Sequence, residues 1–185
     1  MRSTFPLFNT HLDLAHKTWK SVVTSEDLVI DMTVGNGHDT YFLASLCPKK
    51  LVALDIQPQA LQKAQALCPP TVEFLLKDHA VYPDELEASS VKLVVYNLGW
   101  LPGSDKSCLT LAPTTLTSLQ KVLPKIVPGG VVSITCYPGH PEGELEEKLL
   151  NDTLKNLDPL LWSVVHHRFL NRKAAPSLFL LQKAL

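Results

Sequence analysis

The sequence lacks the features of a membrane protein and of a disulfide-stabilised protein. Its 185 residues contain no apolar run near the ~20 residues that a membrane-spanning helix needs. The first residues include no long apolar stretch, so we expect no secretory signal peptide. The four cysteines are far apart and form no C-x-x-C pair, which disfavours structural zinc and a disulfide framework. Unpaired cysteines favour a reducing compartment: we expect a cytoplasmic protein, or an organellar one in a eukaryote, with no membrane partner.

The sequence also lacks an excess of positive charge. Lys and Arg number 17 and Asp and Glu number 18, which gives a formal net charge of −1. Proteins that hold nucleic acid non-specifically usually carry a basic excess. A nucleic-acid role would therefore depend on a local basic patch or on a small, specific segment of the substrate.

Short apolar runs alternate with amphipathic segments along the chain. The runs predict buried strands at residues 28–30, 51–54, 72–76, 93–96 and 131–136. Helices are predicted at 39–47, 58–67, 113–126 and 142–157, with an additional N-terminal helix at about 10–22. Near-continuous apolar runs are typical of parallel strands that are covered on both faces, so the alternation predicts a doubly wound α/β sheet.

The pattern changes after residue 160. Two strand-like runs, at 161–169 and 177–182, are joined by a connection too short for a crossover helix, so they should pair antiparallel. The predicted fold is a single domain over residues 1–185, with a mostly parallel, seven-stranded, Rossmann-like sheet that ends in an antiparallel hairpin. This layout resembles that of class I methyltransferases.

Glycine is scarce, and its eight positions mark the predicted site. Three pairs follow predicted strands: Gly35 and Gly37, Gly99 and Gly103, and Gly139 and Gly143. The remaining pair, Gly129 and Gly130, forms a Pro-Gly-Gly turn before the fifth strand. In an open α/β sheet the ligand binds outside the carboxyl ends of the strands. The three strand-following pairs therefore indicate ligand-facing loops at that edge.

The loop after the first predicted strand, residues 31–40, reads D-M-T-V-G-N-G-H-D-T. A G-x-G turn that opens a helix lets a ligand approach the backbone closely. Asp55, twenty residues after Gly35, ends the second strand, where a carboxylate can accept both ribose hydroxyls of a nucleoside. Thr40 stands where the third glycine of a nicotinamide-binding G-x-G-x-x-G would fall. The predicted cofactor is therefore S-adenosylmethionine; a plain turn and a helix-capping acid are the alternatives.

Two further loops complete the predicted cofactor side. Asp78 and His79 follow the third strand, beside the expected adenine, although a solvated loop would also explain them. Asn97 leaves the fourth strand where the activated methyl group would lie, and its side chain can hydrogen-bond an amine that awaits methylation. Trp100 offers a face on which a base can stack, with a core role as the alternative.

The loop after the fifth strand supplies catalytic candidates. An alkylamine is largely protonated near neutral pH and must lose a proton before it attacks. Tyr137, His140 and Asp105 could orient the amine and accept that proton, and we rank the first two above Asp105. His140 could instead organise its own loop. With Glu144 it would supply only two metal ligands, which do not make a site, so no metal is predicted.

Three motifs, D-x-T-V-G-N-G-H-D-T, N-L-G-W-L-P-G-S-D-K and Y-P-G-H-x-E-G, together resemble the rRNA methylase family of bacteria and plants over nearly the whole chain. Its characterised bacterial members are tRNA 5-aminomethyl-2-thiouridine methyltransferases that act at the wobble base. The resemblance implies a class I fold, S-adenosylmethionine as methyl donor and the tRNA anticodon stem-loop as partner. The family commonly has Tyr where Trp100 stands and His where Pro138 stands, so any role of that histidine would move to His140 or Tyr137.

The resemblance also assigns roles by matching position. The methionine part would be surrounded by Asp31, Gly35, Asn36, Gly37, His38 and Asp39, the ribose would meet Asp55 and Gln57, and the adenine side would meet Asp78 and His79. Asn97, Leu98 and Gly99 would lie between donor and target. The RNA would contact Trp100 and the basic candidates Lys106, Arg168, Arg172 and Lys173, whose alternative is ordinary surface charge.

The sequence also fits other functions. The same fold and cofactor could act on another RNA, a small amine or a protein, and a non-catalytic protein that binds S-adenosylmethionine would share the glycine loops. Thr40 and the terminal hairpin disfavour a nicotinamide-dependent dehydrogenase. The oligomeric state is not determined by the sequence, and a homodimer is one possible assembly.

Overall fold

The structure, a computed structural model, describes residues 10–99, 110–172 and 174–185. Its α-helices are α1 (His11–Val22), α2 (His38–Ser45), α3 (Pro58–Leu67), α4 (Ala112–Val122) and α5 (Pro141–Leu154). Its strands are β1 (Leu28–Asp31), β2 (Lys50–Asp55), β3 (Val72–Leu76), β4 (Val91–Asn97), β5 (Ile126–Cys136), β6 (Trp162–His167) and β7 (Ser177–Lys183). Short 3-10 helices span Tyr82–Glu85 and Leu123–Lys125. None of the helices in the described ranges is long and apolar enough to cross a membrane.

Within these ranges, seven strands form one sheet in the order β3-β2-β1-β4-β5-β7-β6. The first five pair in parallel, and Ile30 of β1 lies between Val52 of β2 and Val94 of β4. The last strand, β7, pairs antiparallel with both β5 and β6. The predicted doubly wound sheet with a C-terminal antiparallel hairpin is confirmed.

The segment between α4 and β5 differs from the prediction. The helix expected over 113–126 ends at Val122, and a 3-10 turn that contains Pro124 follows it. Proline inside an α-helix removes a backbone hydrogen bond and clashes with the preceding turn, which explains the early end. The strand then begins at Ile126, which pairs with Val91 before a register shift. The Pro-Gly-Gly sequence therefore lies within β5 rather than before it.

Both faces of the sheet are buried, which explains the continuous apolar runs. On one face, Leu119 and Val122 of α4 and Leu150 of α5 pack against the strands. On the other face, Trp19 of α1 packs with residues of α2 and α3, including Leu43. The N-terminal helix predicted from the sequence is thus part of one face of the core. Its first turn is closed by a capping box between Thr10 and Asp13.

The order in which successive strands are added to the sheet reverses at its centre, between β1 and β4. From β1 the chain moves outward through β2 and β3, and then it returns to β4 on the other side of β1. Such a switch point leaves a crevice at the carboxyl ends of the two central strands, where open α/β sheets bind their ligands. Asp31 and Asn97 end these strands.

Candidate functional site

A cavity of about 670 Å³ opens at this switch point, a size typical of small-molecule sites. The loops after all five parallel strands contribute to its wall. Of the predicted site residues, the wall includes Gly35, Asn36, His38, Asp39, Asp55, Gln57, Asp78, His79, Asn97, Leu98, Gly99, Tyr137 and His140. The topology therefore brings most of the described candidates to one place.

Some predicted residues lie elsewhere. Asp31 and Gly37 are not part of the cavity wall. Arg168 and Arg172 lie between β6 and β7, outside the wall, although Ala174 of the same connection reaches it. The candidates Trp100, Asp105, Lys106 and Lys173 lie outside the described residues.

Asp31 organises the loop after β1 from inside the protein. Its carboxyl is almost completely buried. One oxygen accepts the Thr40 hydroxyl at 2.6 Å, and the other accepts the Thr33 backbone N–H at 3.1 Å. Burial raises the pKa of Asp31 to about 7. Both oxygens therefore hold the loop after β1, and the predicted contact of Asp31 with the methionine part of a cofactor stays a prediction.

Gly37 serves the packing of two helices. It precedes α2 in a left-handed conformation with φ of +84°. A Cβ atom at this position would lie 2.7 Å from both Cα and Cβ of Ala64 on α3. Only glycine avoids both the strained dihedral and this clash. The absence of a side chain at Gly37 therefore lets α2 pack closely against α3. The first residues of α2 then lie in the cavity wall.

Asp55 joins the two loops on the ribose side of the predicted site. One carboxylate oxygen accepts the Gly35 backbone N–H at 2.9 Å, and the other accepts the Gln57 backbone N–H at 2.9 Å. An ionised carboxylate has about four lone-pair positions. Two of them remain available after the loops are held.

His79 presents a buried nitrogen in the cavity wall. The residue is only 8% exposed, and its ring lies edge-on to Tyr96 with the centroids 6.0 Å apart. Burial lowers the pKa of His79, so the ring is neutral at pH 7. Its Nε2 atom is buried and has no hydrogen-bond partner among the described residues. Burying such a group without a partner is costly, and a ligand in the cavity would supply one. The neighbouring Asp78 accepts the Ala80 N–H at 2.7 Å.

Asn97 is held by a chain of polar contacts that crosses the sheet edge. Its side-chain amide donates to Asp39 at 2.9 Å, and its side chain also acts on the Tyr137 hydroxyl, whose pKa it lowers. The other oxygen of Asp39 lies 2.9 Å from Nε2 of His16 on α1. The His16 ring stacks on Phe42 at a centroid distance of 3.9 Å. Helix α1 thereby fixes the orientation of the amide that faces the cavity.

Tyr137 stays protonated near neutral pH. Burial, assisted by the negative charge of Asp39, raises the pKa of its hydroxyl. The ring of His11 meets the Tyr137 ring edge-on at a centroid distance of 5.9 Å, and burial lowers the pKa of His11. Sequence reasoning missed both His11 and His16, because nothing in an amphipathic helix before the first strand distinguishes them from surface residues.

His140 caps helix α5. Its Nδ1 atom accepts the Gly143 backbone N–H at 3.1 Å. The same Nδ1 atom lies 3.4 Å from a carboxylate oxygen of Glu142. The cap fits the loop-organising role that the sequence gives as the alternative for His140. In the described ranges, no three His, Cys, Asp or Glu side chains are grouped so that they could hold a metal ion.

Comparisons with known proteins agree with this geometry. The family described as “Putative rRNA methylase” matches residues 51–183. A chloroplastic tRNA (mnm(5)s(2)U34)-methyltransferase of Arabidopsis thaliana is 32% identical across 92% of this chain and 68% of the relative.

Solved structures extend the similarity to three dimensions. A structure from Clostridium thermocellum with the same family description has a TM-score of 0.89 at 30% identity, over 95% of this chain and 98% of that one. A Streptococcus mutans protein in complex with SAH has a TM-score of 0.85 at 29% identity, over 95% and 99% of the two chains. Since the family match covers well over half of the sequence and these folds align almost end to end, the chain belongs to the rRNA methylase family and is a methyltransferase.

Proposed function

We propose that this methyltransferase acts on RNA and methylates the aminomethyl nitrogen of 5-aminomethyl-2-thiouridine at the wobble position of tRNA. The observation that carries the proposal is the convergence of a ribose-binding candidate, Asp55, a buried free nitrogen, His79 Nε2, and an amine-orienting candidate, Asn97, in one cavity. The name of the Arabidopsis relative supports the choice of substrate.

The methyl donor is S-adenosylmethionine. SAH, its demethylated product, is bound in the Streptococcus mutans relative. The residues present fit such a group: the free lone pairs of Asp55 suit ribose hydroxyls, and the unsatisfied His79 nitrogen suits the adenine side. Gly35, Asn36 and Asp39 would hold the methionine part. When bound, the cofactor supplies a methyl group on a positively charged sulfur.

The residues around Asn97 would orient the acceptor. Asp39 and Tyr137 fix the Asn97 side chain from two sides, and alignment of the reacting groups can lower a barrier by ~7–11 kcal/mol. A Tyr137 hydroxyl with a raised pKa donates and accepts hydrogen bonds but is a poor base. Asp39 contacts Asn97 directly and holds its side-chain amide in place. The proton of the amine would pass to one of the remaining candidates of the sequence, His140 or Asp105, directly or through water.

The connection between β6 and β7 would meet the anticodon stem-loop. The guanidinium of Arg172 lies 4.5 Å from the centroid of the Phe169 ring, and Arg168 is exposed. Ala174, two residues after Arg172, reaches the cavity. Basic groups beside the cavity can contact phosphates while one base enters it. We retain Trp100, Lys106 and Lys173 as candidates for contact with the RNA, as the sequence predicts.

The test is transfer of a labelled methyl group from S-adenosylmethionine to tRNA purified from a strain that lacks this activity, followed by mass analysis of the nucleosides. We expect label in methylated aminomethyl-thiouridine. The matched control is tRNA from the parent strain, which is already methylated and should accept little label. Absence of transfer to either tRNA, with SAH binding confirmed by calorimetry, would overturn the substrate and redirect the search to other RNAs and small amines.

A further inference from the structure

Glu146 is a buried acid that has no role in the proposed reaction. It lies on α5 and is 2% exposed. The hydroxyl of Thr115 on α4 donates to one carboxylate oxygen at 2.6 Å, and the hydroxyl of Thr110 donates to the other at 3.0 Å. Burial raises the pKa of the Glu146 carboxyl. Burying a carboxyl costs free energy unless it is hydrogen-bonded, so the two threonines stabilise Glu146 at this position.

Thr110 connects this acid to the cavity. Its hydroxyl accepts the Gly99 backbone N–H at 2.8 Å, and its own backbone N–H donates to the Gly99 carbonyl at 3.0 Å. A hydroxyl has one hydrogen to donate. Because Glu146 takes that hydrogen, a lone pair of the Thr110 oxygen is left facing Gly99. We call Gly99, Thr110 and Glu146 the loop clamp.

The loop clamp lies beside the proposed acceptor position. Gly99 and Thr110 both line the cavity, as do Asn97 and Leu98. Gly99 has a left-handed φ of +109°, and a Cβ there would lie 3.7 Å from the Tyr137 ring. The segment from Asn97 to Gly99 is thus held at one end by the sheet and at the other by Thr110.

We propose that Thr110 and Glu146 are positioning residues, which hold the backbone at Gly99 so that Asn97 receives the acceptor amine. This inference rests on the proposed function of the cavity. A purely structural role for Glu146 would be to join α4 to α5. Thr115 performs that task through the same carboxylate without touching Gly99, so the chain offers its own control.

The first arm of the test needs no substrate. We expect Thr110→Val, which removes the hydroxyl at almost constant volume, to speed amide hydrogen exchange in peptides that contain Gly99. Thr115→Val should leave that exchange at the wild-type rate, and Thr110→Ser should restore protection. Equal exchange at Gly99 in the two valine variants would overturn the clamp.

The second arm measures turnover with the wild-type enzyme as reference. Since a misplacement of about 1 Å can lower a rate about 100-fold, we expect kcat of Thr110→Val to fall by roughly 10- to 100-fold, more than its affinity for SAH falls. Thr110→Ser should recover most of the activity, and Thr115→Val should retain it. Equal kcat values for the two valine variants would overturn the positioning role.

The arms also separate this inference from the proposed function. If wild-type protein methylates no tRNA, the substrate assignment fails, and the exchange measurement still decides the clamp. If Thr110→Val does not fold, Thr110→Ala replaces it in both arms with Thr115→Ala as its control, because alanine also lacks the hydroxyl that contacts Gly99 and Glu146. Full protection at Gly99 and full kcat in Thr110→Ala would equally overturn the inference.

Discussion

Asp31 is a single residue that should give the stability of the whole protein a pH dependence. Burial raises the pKa of its carboxyl from an ordinary value of 3.8 to about 7, so between these values the folded chain holds a proton that the unfolded chain releases. The free energy of unfolding therefore falls as the pH rises from about 4 to about 7, and this group changes it no further above that range. At about 1.4 kcal/mol per pH unit, the total fall is on the order of 4 kcal/mol.

Asp31→Asn should remove this dependence. The amide oxygen can accept the Thr33 N–H, and the amide nitrogen can donate to the Thr40 oxygen, so the two contacts of the loop survive. We expect urea unfolding of the wild type to show a loss of stability between about pH 4 and about pH 7 that the variant lacks. The same pH dependence in both proteins would contradict the raised pKa.

Substitution of Asp55 tests the proposed cofactor site at a single residue. Hydrogen bonds to charged groups contribute ~1.5–3 kcal/mol, so Asp55→Ala should weaken SAH binding by roughly 10- to 150-fold, as measured by calorimetry. Asp27 provides a control, since it also holds backbone and hydroxyl groups of a turn, at Thr24, but lies away from the cavity. Asp27→Ala should lower Tm and leave the SAH affinity unchanged. Unchanged affinity in Asp55→Ala would limit Asp55 to holding its loops.

Individual residues also show how far the sequence determines the site. Asp55, His79 and Asn97 could be placed at one edge because parallel strands bring their carboxyl ends together. The orientation of Asp31 could not, because it depends on a hydroxyl nine residues later, at Thr40. The cap formed by His140 was foreseen only as an alternative, since a histidine before a proline has no distinctive pattern.

At the scale of the element, the approach of α2 to α3 depends on Gly37. A Cβ would combine a left-handed strain of about 1–2 kcal/mol with an overlap of the Ala64 backbone, which costs about 1–3 kcal/mol. Gly37→Ala should therefore destabilise the protein by about 2–5 kcal/mol in urea unfolding. Gly139→Ala is the matched control, because its nearest contact would be the Ala174 carbonyl at an ordinary 3.7 Å. Similar losses in both variants would contradict the packing role of Gly37.

The start of α3 could be predicted from the local sequence, whereas the ends of α2 and α5 could not. Pro58 at the first turn of α3 could be recognised in advance, and α3 has its predicted bounds. The predictions for α2 and α5 run two or three residues too far at their carboxyl ends. Neither helix has a glycine stop signal there. Helix α2 ends before Cys47, which has a left-handed φ of +53° and precedes Pro48.

At the scale of the whole molecule, the near-zero net charge sets the expected salt response. Because the chain as a whole offers no attraction to phosphates, RNA affinity should depend on a few local contacts, and its logarithm should fall with the logarithm of salt concentration with a shallow slope. Arg168→Ala should reduce that slope by about 1 if the residue contacts a phosphate. The measurement is tRNA binding at several salt concentrations. An unchanged slope, with Lys20→Ala of α1 as the control substitution, would leave Arg168 as ordinary surface charge.

The sheet order has a consequence for how the protein is made. Strand β6 leaves the ribosome before β7, yet among the described strands β6 is hydrogen-bonded to β7 alone, and β7 lies between it and β5. Until β7 has docked, β6 has no position to occupy, and its unpaired edge can associate with other chains. The sheet is therefore assembled out of chain order. Folding intermediates in which β7 has not yet docked should be the ones that depend most on chaperones.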